Sequence, residues 1–130
     1  MKHAKVSRPQ LLVVDDDEYM RRLLKQLLSS AHYDVEAVGT AMDAQRYLLT
    51  NRPDLILMDF LLPDSNGILL VREIRSGQLN LDIPVIMLTG QTAKQVIVDS
   101  RKAGAVDFVA KPFNRDLLLK KVTQHLRTGP

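Results

Sequence analysis

The sequence predicts an α/β fold, (βα)5, in which five parallel strands form one doubly wound sheet with helices on both faces. Two observations lead to this fold class. Five short apolar runs alternate with segments of helical periodicity along the 130 residues. The runs are also apolar throughout, which is typical of parallel strands that helices cover on both sides. A chain of this length suits one domain with a sizeable core.

The predicted strands follow the apolar runs. The second run is more polar than the others, so we expect it at an edge of the sheet. The runs are LLVV (11–14), VEAV (35–38), LILM (55–58), VIML (85–88) and DFVA (107–110).

Each run is followed by a segment with apolar residues at helical spacing. These segments are 18–31, 41–50, 67–76, 92–103 and 115–127. Gly77 and Gly104 are expected to end the third and fourth helices, and Asn114 is a suitable N-cap for the fifth. The residues predicted to face the core are Met20, Leu23, Leu24, Leu27, Leu28 and Ala31 in the first helix, and Leu117, Leu118, Val122 and Leu126 in the last.

Residues 10–127 are predicted to form the domain, with short tails at 1–9 and 128–130. The chain has no cysteine, which excludes disulfides and thiolate metal sites. The N-terminus lacks the apolar region of a secretion signal, and no apolar run is long enough to span a bilayer. We therefore expect a soluble cytoplasmic protein.

The chain is basic, with a formal net charge of +3 and a pI of about 9.3. A nucleic-acid site usually adds aromatic side chains for stacking, but tryptophan is absent and aromatic residues make up 5%. We interpret the bases near the termini as a solvated tail and a solvated helix face, and expect no direct binding of nucleic acid or membrane. These bases are Lys2, Lys5, Arg8, Lys120, Lys121 and Arg127.

Polar side chains stand at the ends of four predicted strands. The carboxyl ends of parallel strands meet at one edge of the sheet, where open α/β sheets bind ligands. We therefore expect these side chains to lie close together. They are Asp15 and Asp16 after the first strand, Asp59 after the third, Thr89 after the fourth and Lys111 after the fifth.

Three carboxylates at one edge need a compensating charge. At about 4 Å and an effective dielectric near 20, each like-charge pair costs on the order of 4 kcal/mol. Either one pKa rises or a cation binds. Carboxylate oxygens favour Mg²⁺, for which Mn²⁺ could substitute, and magnesium held in this way suits phosphate chemistry. Lys111 offers a second means of compensation, because it could pair with the acids.

The same residues can support phosphoryl transfer. Asp59 can attack a phosphoryl group and form an aspartyl phosphate, while a metal neutralises the developing charge. Lys111 and Thr89 can contact the remaining phosphoryl oxygens. Asp17 is expected to be a helix N-cap or first-turn acid rather than a ligand. The sequence contains no P-loop, GxGxxG motif or Ser-His-Asp arrangement that would indicate another chemistry.

The motifs that carry these residues closely resemble the CheY-like receiver domain of two-component response regulators. The motifs are VVDDD, LMDFLLPDSNG, PVIMLTG and AGAVDFVAKPF, in that order, and the resemblance covers about residues 10–127. It implies a flavodoxin-like sheet of order 2-1-3-4-5. It also implies a switch driven by phosphorylation rather than a conventional enzyme. A sensor histidine kinase or histidine phosphotransfer protein would supply the phosphoryl group.

The resemblance implies roles for the acidic residues. Asp59 would accept the phosphoryl group. Asp16 would bind Mg²⁺ directly and Asp15 mainly through water. The backbone carbonyl of Phe60 would be the third protein ligand. Leu61 occupies a position that tunes loss of the phosphate in the family, and since an apolar side chain cannot position a hydrolytic water, we expect slow loss.

The resemblance also implies a route for the signal. Thr89 and Lys111 would bind the phosphoryl group, and Thr89 and Phe108 would form the conformational switch. Phe108 has no hydroxyl, so movement of its ring would carry the signal rather than a hydrogen bond. The Lys111–Pro112 peptide bond is expected to be cis. The face formed by the fourth helix, fifth strand and fifth helix would serve a homodimer or an effector, and the output is unknown.

Two alternatives remain open. A phosphohydrolase of the haloacid-dehalogenase type also uses an aspartate nucleophile, Mg²⁺ and a lysine, and Asp15 and Asp17 have its Asp-x-Asp spacing. The chain is short for that class and has little material for a substrate-selecting cap. A phosphate-independent scaffold of the same fold is the other alternative, although every expected reactive residue is present.

Overall fold

A computed structural model describes residues 8–77, 79, 81–90 and 94–126. Within them, five strands alternate with five helices. The strands are β1 (Gln10–Val14), β2 (Asp34–Val38), β3 (Leu55–Asp59), β4 (Val85–Thr89) and β5 (Asp107–Ala110). The helices are α1 (Glu18–Ser30), α2 (Ala41–Thr50), α3 (Gly67–Arg75), α4 (Lys94–Ala103) and α5 (Arg115–His125).

All strand pairs in the sheet are parallel, and the strand order is β2-β1-β3-β4-β5. This confirms the predicted α/β class, the flavodoxin-like order and the edge position of β2. The chain leaves β1 towards one edge and returns to add β3 on the other side of β1. The crevice where this order reverses lies between the carboxyl ends of β1 and β3.

The sheet separates two hydrophobic cores. Leu12 and Val14 of β1 face the core that α2, α3 and α4 cover, whereas Leu11 and Val13 face the core that α1 and α5 cover. Both faces of β1, β3 and β4 are therefore buried, which explains why their sequences are apolar throughout.

Local signals fix where the helices begin and end. Asp17 caps α1 by accepting a hydrogen bond from the backbone N–H of Tyr19, and Asn114 caps α5, as the sequence predicts. Gly77 and Gly104 follow α3 and α4 with φ angles of 64° and 119°. Glycine adopts this left-handed region readily, which confirms both predicted stops.

Three predictions of exposure were wrong. Leu23 and Leu117 were expected in the core but are 37% and 44% exposed, because they lie at the margins of the apolar stripes that the sheet contacts. Lys121 was expected on a solvated face, but its side chain is 21% exposed and pairs with Asp107. No helix among the described residues combines the length and apolar character that crossing a membrane requires.

Several other predictions fall outside the described residues. They concern most of the N-terminal tail, the start of the fourth helix at 92–93, Arg127 and the C-terminal tail. The predicted helices 18–31 and 67–76 end one residue earlier, at Ser30 and Arg75, and the predicted helix 115–127 ends at His125.

Candidate functional site

The carboxyl edge of the sheet brings the predicted acids and the lysine into contact. Nζ of Lys111 lies 2.8 Å from Oδ2 of Asp15 and 3.4 Å from Oδ1 of Asp59. Thr89 ends β4 beside them and is 2% exposed. Lys111 therefore joins the ends of β1, β3 and β5 through one ammonium group.

Asp15 is held more tightly than its neighbours. It is 1% exposed, and while Oδ2 accepts the bond from Lys111, Oδ1 accepts a 3.0 Å bond from the backbone N–H of Asp17. Its backbone carbonyl accepts a 2.7 Å bond from Nη1 of Arg21. Asp16, in contrast, is exposed at the mouth of the site.

The acids can be satisfied together by one hard cation. Asp15, Asp16 and Asp59 each offer a carboxylate oxygen, and these oxygens lie within 4.8 Å of one another. One lysine against three carboxylates leaves a formal excess of negative charge. Oxygen donors of this kind fit Mg²⁺, and they do not form the nitrogen and sulfur set that zinc prefers.

Burial and the neighbouring charges shift the pKa values of Asp59 and Lys111. Burial, followed by the negative charge of Asp15, raises the pKa of Asp59 to about 6, and Lys111 offsets only part of that rise. Burial alone would lower the pKa of Lys111, but its bonds to Asp15 and Asp59 outweigh burial and raise it. The lysine therefore remains charged, and ionisation of Asp59 in the folded protein is costly.

The loop after β3 presents its backbone in a defined way. The carbonyl of Phe60 accepts a 2.7 Å hydrogen bond from the N–H of Gly67, and Leu61 and Asn66 face each other across an isolated antiparallel bridge. Leu61 and Asn66 are the non-hydrogen-bonded pair of this bridge, so their own N–H and C=O groups point away from each other. The side chain of Leu61 is 57% exposed beside Asp59.

Two residues that the sequence analysis did not single out for the site fix this loop. Gly67 begins α3 so close to the strand that a Cβ atom would lie 2.5 Å from the backbone oxygen of Asp59. The carboxylate of Asp64 accepts bonds of 2.9 and 3.0 Å from the N–H groups of Ala41 and Met42, which ties the loop to the first turn of α2. An acid five residues after Asp59 gives no sequence signal for this distant partner.

The proposed switch residues lie on neighbouring strands. Phe108 of β5 pairs in register with Met87 of β4, two residues before Thr89. Its side chain is partly buried against the core under α2, α3 and α4. The Lys111–Pro112 peptide bond is cis, as expected.

An apolar groove of about 550 Å³ runs beside the site. The groove lies between α1 and the segment after β5. Leu23, which is 37% exposed, is one of its lining residues. One end of the groove is next to the site, since Pro112 follows Lys111 directly. Its lining residues are Met20, Leu23, Gln26, Leu27, Ser30, Pro112, Phe113 and Arg115.

The chain matches the family model of the response regulator receiver domain over residues 11–123. It is 34% identical over 121 residues to the phosphate regulon transcriptional regulatory protein PhoB of Pseudomonas aeruginosa, covering 92% of this chain and 53% of that protein. For the DNA-binding response regulator MtrA of Mycolicibacterium smegmatis, the identity is 35% over 120 residues, covering 92% and 51%. This chain thus spans about half the length of these curated relatives. The chemotaxis protein CheY4 of Vibrio cholerae has a TM-score of 0.86 at 28% identity, covering 92% of this chain and 100% of that chain.

Asp59→Asn should stabilise the protein at pH 7 in the absence of divalent cations. The pKa of Asp59 is raised from 3.8 to about 6 in the folded protein. Its protonated form therefore stabilises the fold below about pH 4, and this stability is lost as the pH rises through about 6. We expect a gain of about 1–2 kcal/mol at pH 7, allowing for solvent screening, and little gain near pH 4.

Urea unfolding at the two pH values measures this difference. Asp34→Asn is the matched control, because Asp34 is an exposed acid at the start of β2. A gain that is larger at pH 4 than at pH 7 would contradict the prediction.

Proposed function

The chain belongs to the response regulator receiver domain family of two-component systems, and from this membership and the geometry of the strand ends we propose that it is a phosphorylation-driven switch. It accepts a phosphoryl group from a phosphohistidine donor onto Asp59 in a Mg²⁺-dependent reaction. The observation that carries the proposal is the contact of Lys111 with both Asp15 and Asp59 at one sheet edge. The chain then catalyses only its own phosphorylation and dephosphorylation.

The residues that would hold Mg²⁺ follow from which oxygens are already engaged. Asp16 and Asp59 would bind the ion directly, and Mn²⁺ could substitute. Both carboxylate oxygens of Asp15 already accept bonds, which favours its contact through water. The resemblance implied Phe60 as the backbone ligand, but the Phe60 carbonyl already accepts the bond from Gly67.

We therefore assign the backbone ligand to Leu61 instead. The carbonyl of Leu61 points away from its partner across the bridge and is free of the ladder that engages Phe60. This carbonyl and the acids would hold the ion, which would supply positive charge to the phosphoryl oxygens.

The transfer itself uses side chains of this chain. A carboxylate oxygen of Asp59 attacks the phosphorus, the P–N bond to the donor imidazole breaks, and that imidazole leaves with its electron pair and takes up a proton. The ammonium of Lys111 and the hydroxyl of Thr89 bind the other phosphoryl oxygens and stabilise their charge. The ionised form of Asp59 is the nucleophile.

The output of the reaction is a shift between two conformations. The phosphoryl group draws Thr89 towards it, and the ring of Phe108 moves into the space beside Thr89. The face of α4, β5 and α5 would then bind a second copy of this chain or an effector. This dimer stays a prediction, as does the absence of direct nucleic-acid binding by this domain.

The phosphohistidine donor docks in the groove beside α1. A sensor histidine kinase or histidine phosphotransfer protein must bring its imidazole to Asp59, and the groove is an exposed apolar surface that ends next to Lys111. Contact with such a donor places the domain in the cytoplasm. By name, one relative is a transcriptional regulatory protein and another is a DNA-binding response regulator, which supports an output that acts on DNA.

The competing hydrolase function finds less support. It would need Asp17 as the second acid of the Asp-x-Asp pair, directed into the site. The carboxylate of Asp17 instead accepts a 2.9 Å bond from the backbone N–H of Tyr19 as the cap of α1. A scaffold role would use Lys111 only to pair with the buried acids, and labelling by acetyl phosphate distinguishes this role from the proposed one.

Incubation with acetyl phosphate and Mg²⁺ tests the central proposal. We expect one stable phosphoryl group per chain by intact mass. EDTA added before the reaction should prevent this labelling, and Asp59→Asn should not be labelled. Asp34→Asn should be labelled like the native protein. Labelling of Asp59→Asn would overturn the assignment, and continuous release of phosphate from many monoesters would favour the hydrolase.

Leu61→Asn should shorten the lifetime of the phosphorylated protein. The exposed Leu61 side chain offers no hydrogen bond to a water near Asp59, whereas an amide can hold one for in-line attack. We expect loss of the phosphoryl group to become several-fold faster, as followed by ³²P decay after removal of the donor. Slower loss in Leu61→Asn than in the native protein would contradict this.

Leu23→Lys should slow phosphorylation by a histidine donor and leave phosphorylation by acetyl phosphate unchanged. Removal of an apolar docking contact typically costs about 1–2 kcal/mol, so we expect a fall of roughly 5- to 30-fold in the transfer rate. Leu117→Lys is the matched control, because Leu117 is similarly exposed on α5 outside the groove. Equal loss in both variants would place docking elsewhere.

A further inference from the structure

The backbone of Phe108 is fastened at the free edge of the sheet. β5 is an edge strand, so half of its N–H and C=O groups have no partner strand. The N–H of Phe108 donates a 2.8 Å bond to Oδ1 of Asp107, and its C=O accepts a 2.7 Å bond from Nζ of Lys121. Side chains thus replace the missing strand at this one residue.

Lys121 also reaches the ring of Phe108. Its Nζ lies 5.1 Å from the ring centroid, within the range of a cation–π contact. α5 packs on one face of the sheet, while the ring of Phe108 packs against the core on the other face. The side chain of Lys121 therefore passes around the edge of β5 to make this contact.

The ammonium of Lys121 cannot easily follow the ring if the ring moves. It is anchored by the carbonyl of Phe108 and by a 2.9 Å bond to Oδ1 of Asp107, whose Oδ2 lies 2.9 Å from Nε2 of His125. The side chains of Lys121 and His125 are each 21% exposed, and that of Asp107 is 14% exposed. Breaking these mostly buried contacts would be costly.

We propose that Lys121 is a positioning residue that holds the ring of Phe108 in its unphosphorylated position and so sets the resting balance of the switch. This inference rests on the proposed function, because it needs a ring that moves towards Thr89. The cation–π contact is present only while the ring lies over the anchored ammonium. Lys121 therefore stabilises one of the two conformations, and its loss favours the other.

The size of the effect follows from the contact. An accessible cation–π contact changes an equilibrium by about two- to five-fold. Lys121→Gln should therefore raise the fraction of the switched conformation in the unphosphorylated protein by about two- to five-fold. If Lys121 only stabilised the fold, its loss would lower the melting temperature but would leave this fraction unchanged.

NMR of the native protein labelled with ring-¹³C phenylalanine measures the fraction. The chain has three phenylalanines, so the signal of Phe108 can be assigned with Phe108→Leu. The two end points are the protein alone and the protein with acetyl phosphate and Mg²⁺. In Lys121→Gln without phosphate, the signal of Phe108 should move part of the way towards the phosphorylated end point.

Two further variants control the experiment. Lys121→Arg keeps a cation that can stack on the ring and should retain the native position of the signal. Lys120→Gln removes the same charge from the exposed neighbouring position on α5 and should change nothing.

The outcomes separate the two proposals. Intact mass of each sample reports whether Asp59 is phosphorylated. Without a label on the native protein, the proposed function fails and the switch fails with it. If the label forms and the native signal moves, but the signal of unphosphorylated Lys121→Gln stays at the native position, the role of Lys121 alone is overturned.

Discussion

One ammonium group holds the functional edge of this protein together. Lys111 lies 2.8 Å from Asp15 and 3.4 Å from Asp59, so it compensates the two carboxylates that are buried deepest at this edge. It does not compensate all of the charge, because burial and Asp15 still raise the pKa of Asp59 to about 6. The acids were expected to need a cation, and the lysine supplies part of the positive charge that they need. The remaining negative charge is what a divalent metal would neutralise.

The topology brings the two acids of this contact together. The strand order reverses between β1 and β3, which puts the residues after these strands side by side at the carboxyl edge. The sequence predicts the class and the edge because buried parallel strands read as continuous apolar runs, and because polar residues stand where those runs stop. The caps at Asp17 and Asn114 are also predictable, since each acts within three residues of its own helix.

Contacts between distant segments were not predictable in the same way. Periodicity identifies the apolar face of a helix but not how wide a strip of it the sheet covers, so Leu23 was placed in the core although it lines a groove. Charged side chains give no signal for partners far along the chain. Lys121 therefore looked like a solvated base, and nothing in the sequence indicated that Asp64 accepts hydrogen bonds from the first turn of α2. The backbone ligand of the metal stays a prediction for a related reason, because no sequence pattern shows that the carbonyl of Phe60 already accepts a hydrogen bond from Gly67.

Phosphorylation of Asp59 would act on the contact that stabilises the resting site. A phosphoryl group brings about two negative charges and three strong acceptor oxygens, so it competes with Asp15 for the ammonium of Lys111. Lys111 directly follows β5, the edge strand that carries Phe108, and its N–H bonds to the carbonyl of Thr89 at 2.8 Å. A shift of Lys111 towards the phosphoryl group would thus be transmitted along a short, hydrogen-bonded backbone to Thr89 and Phe108, the two proposed switch residues. On the proposed role of Lys121, its ammonium would oppose the same movement, so that β5 would lie between two lysines that favour different states.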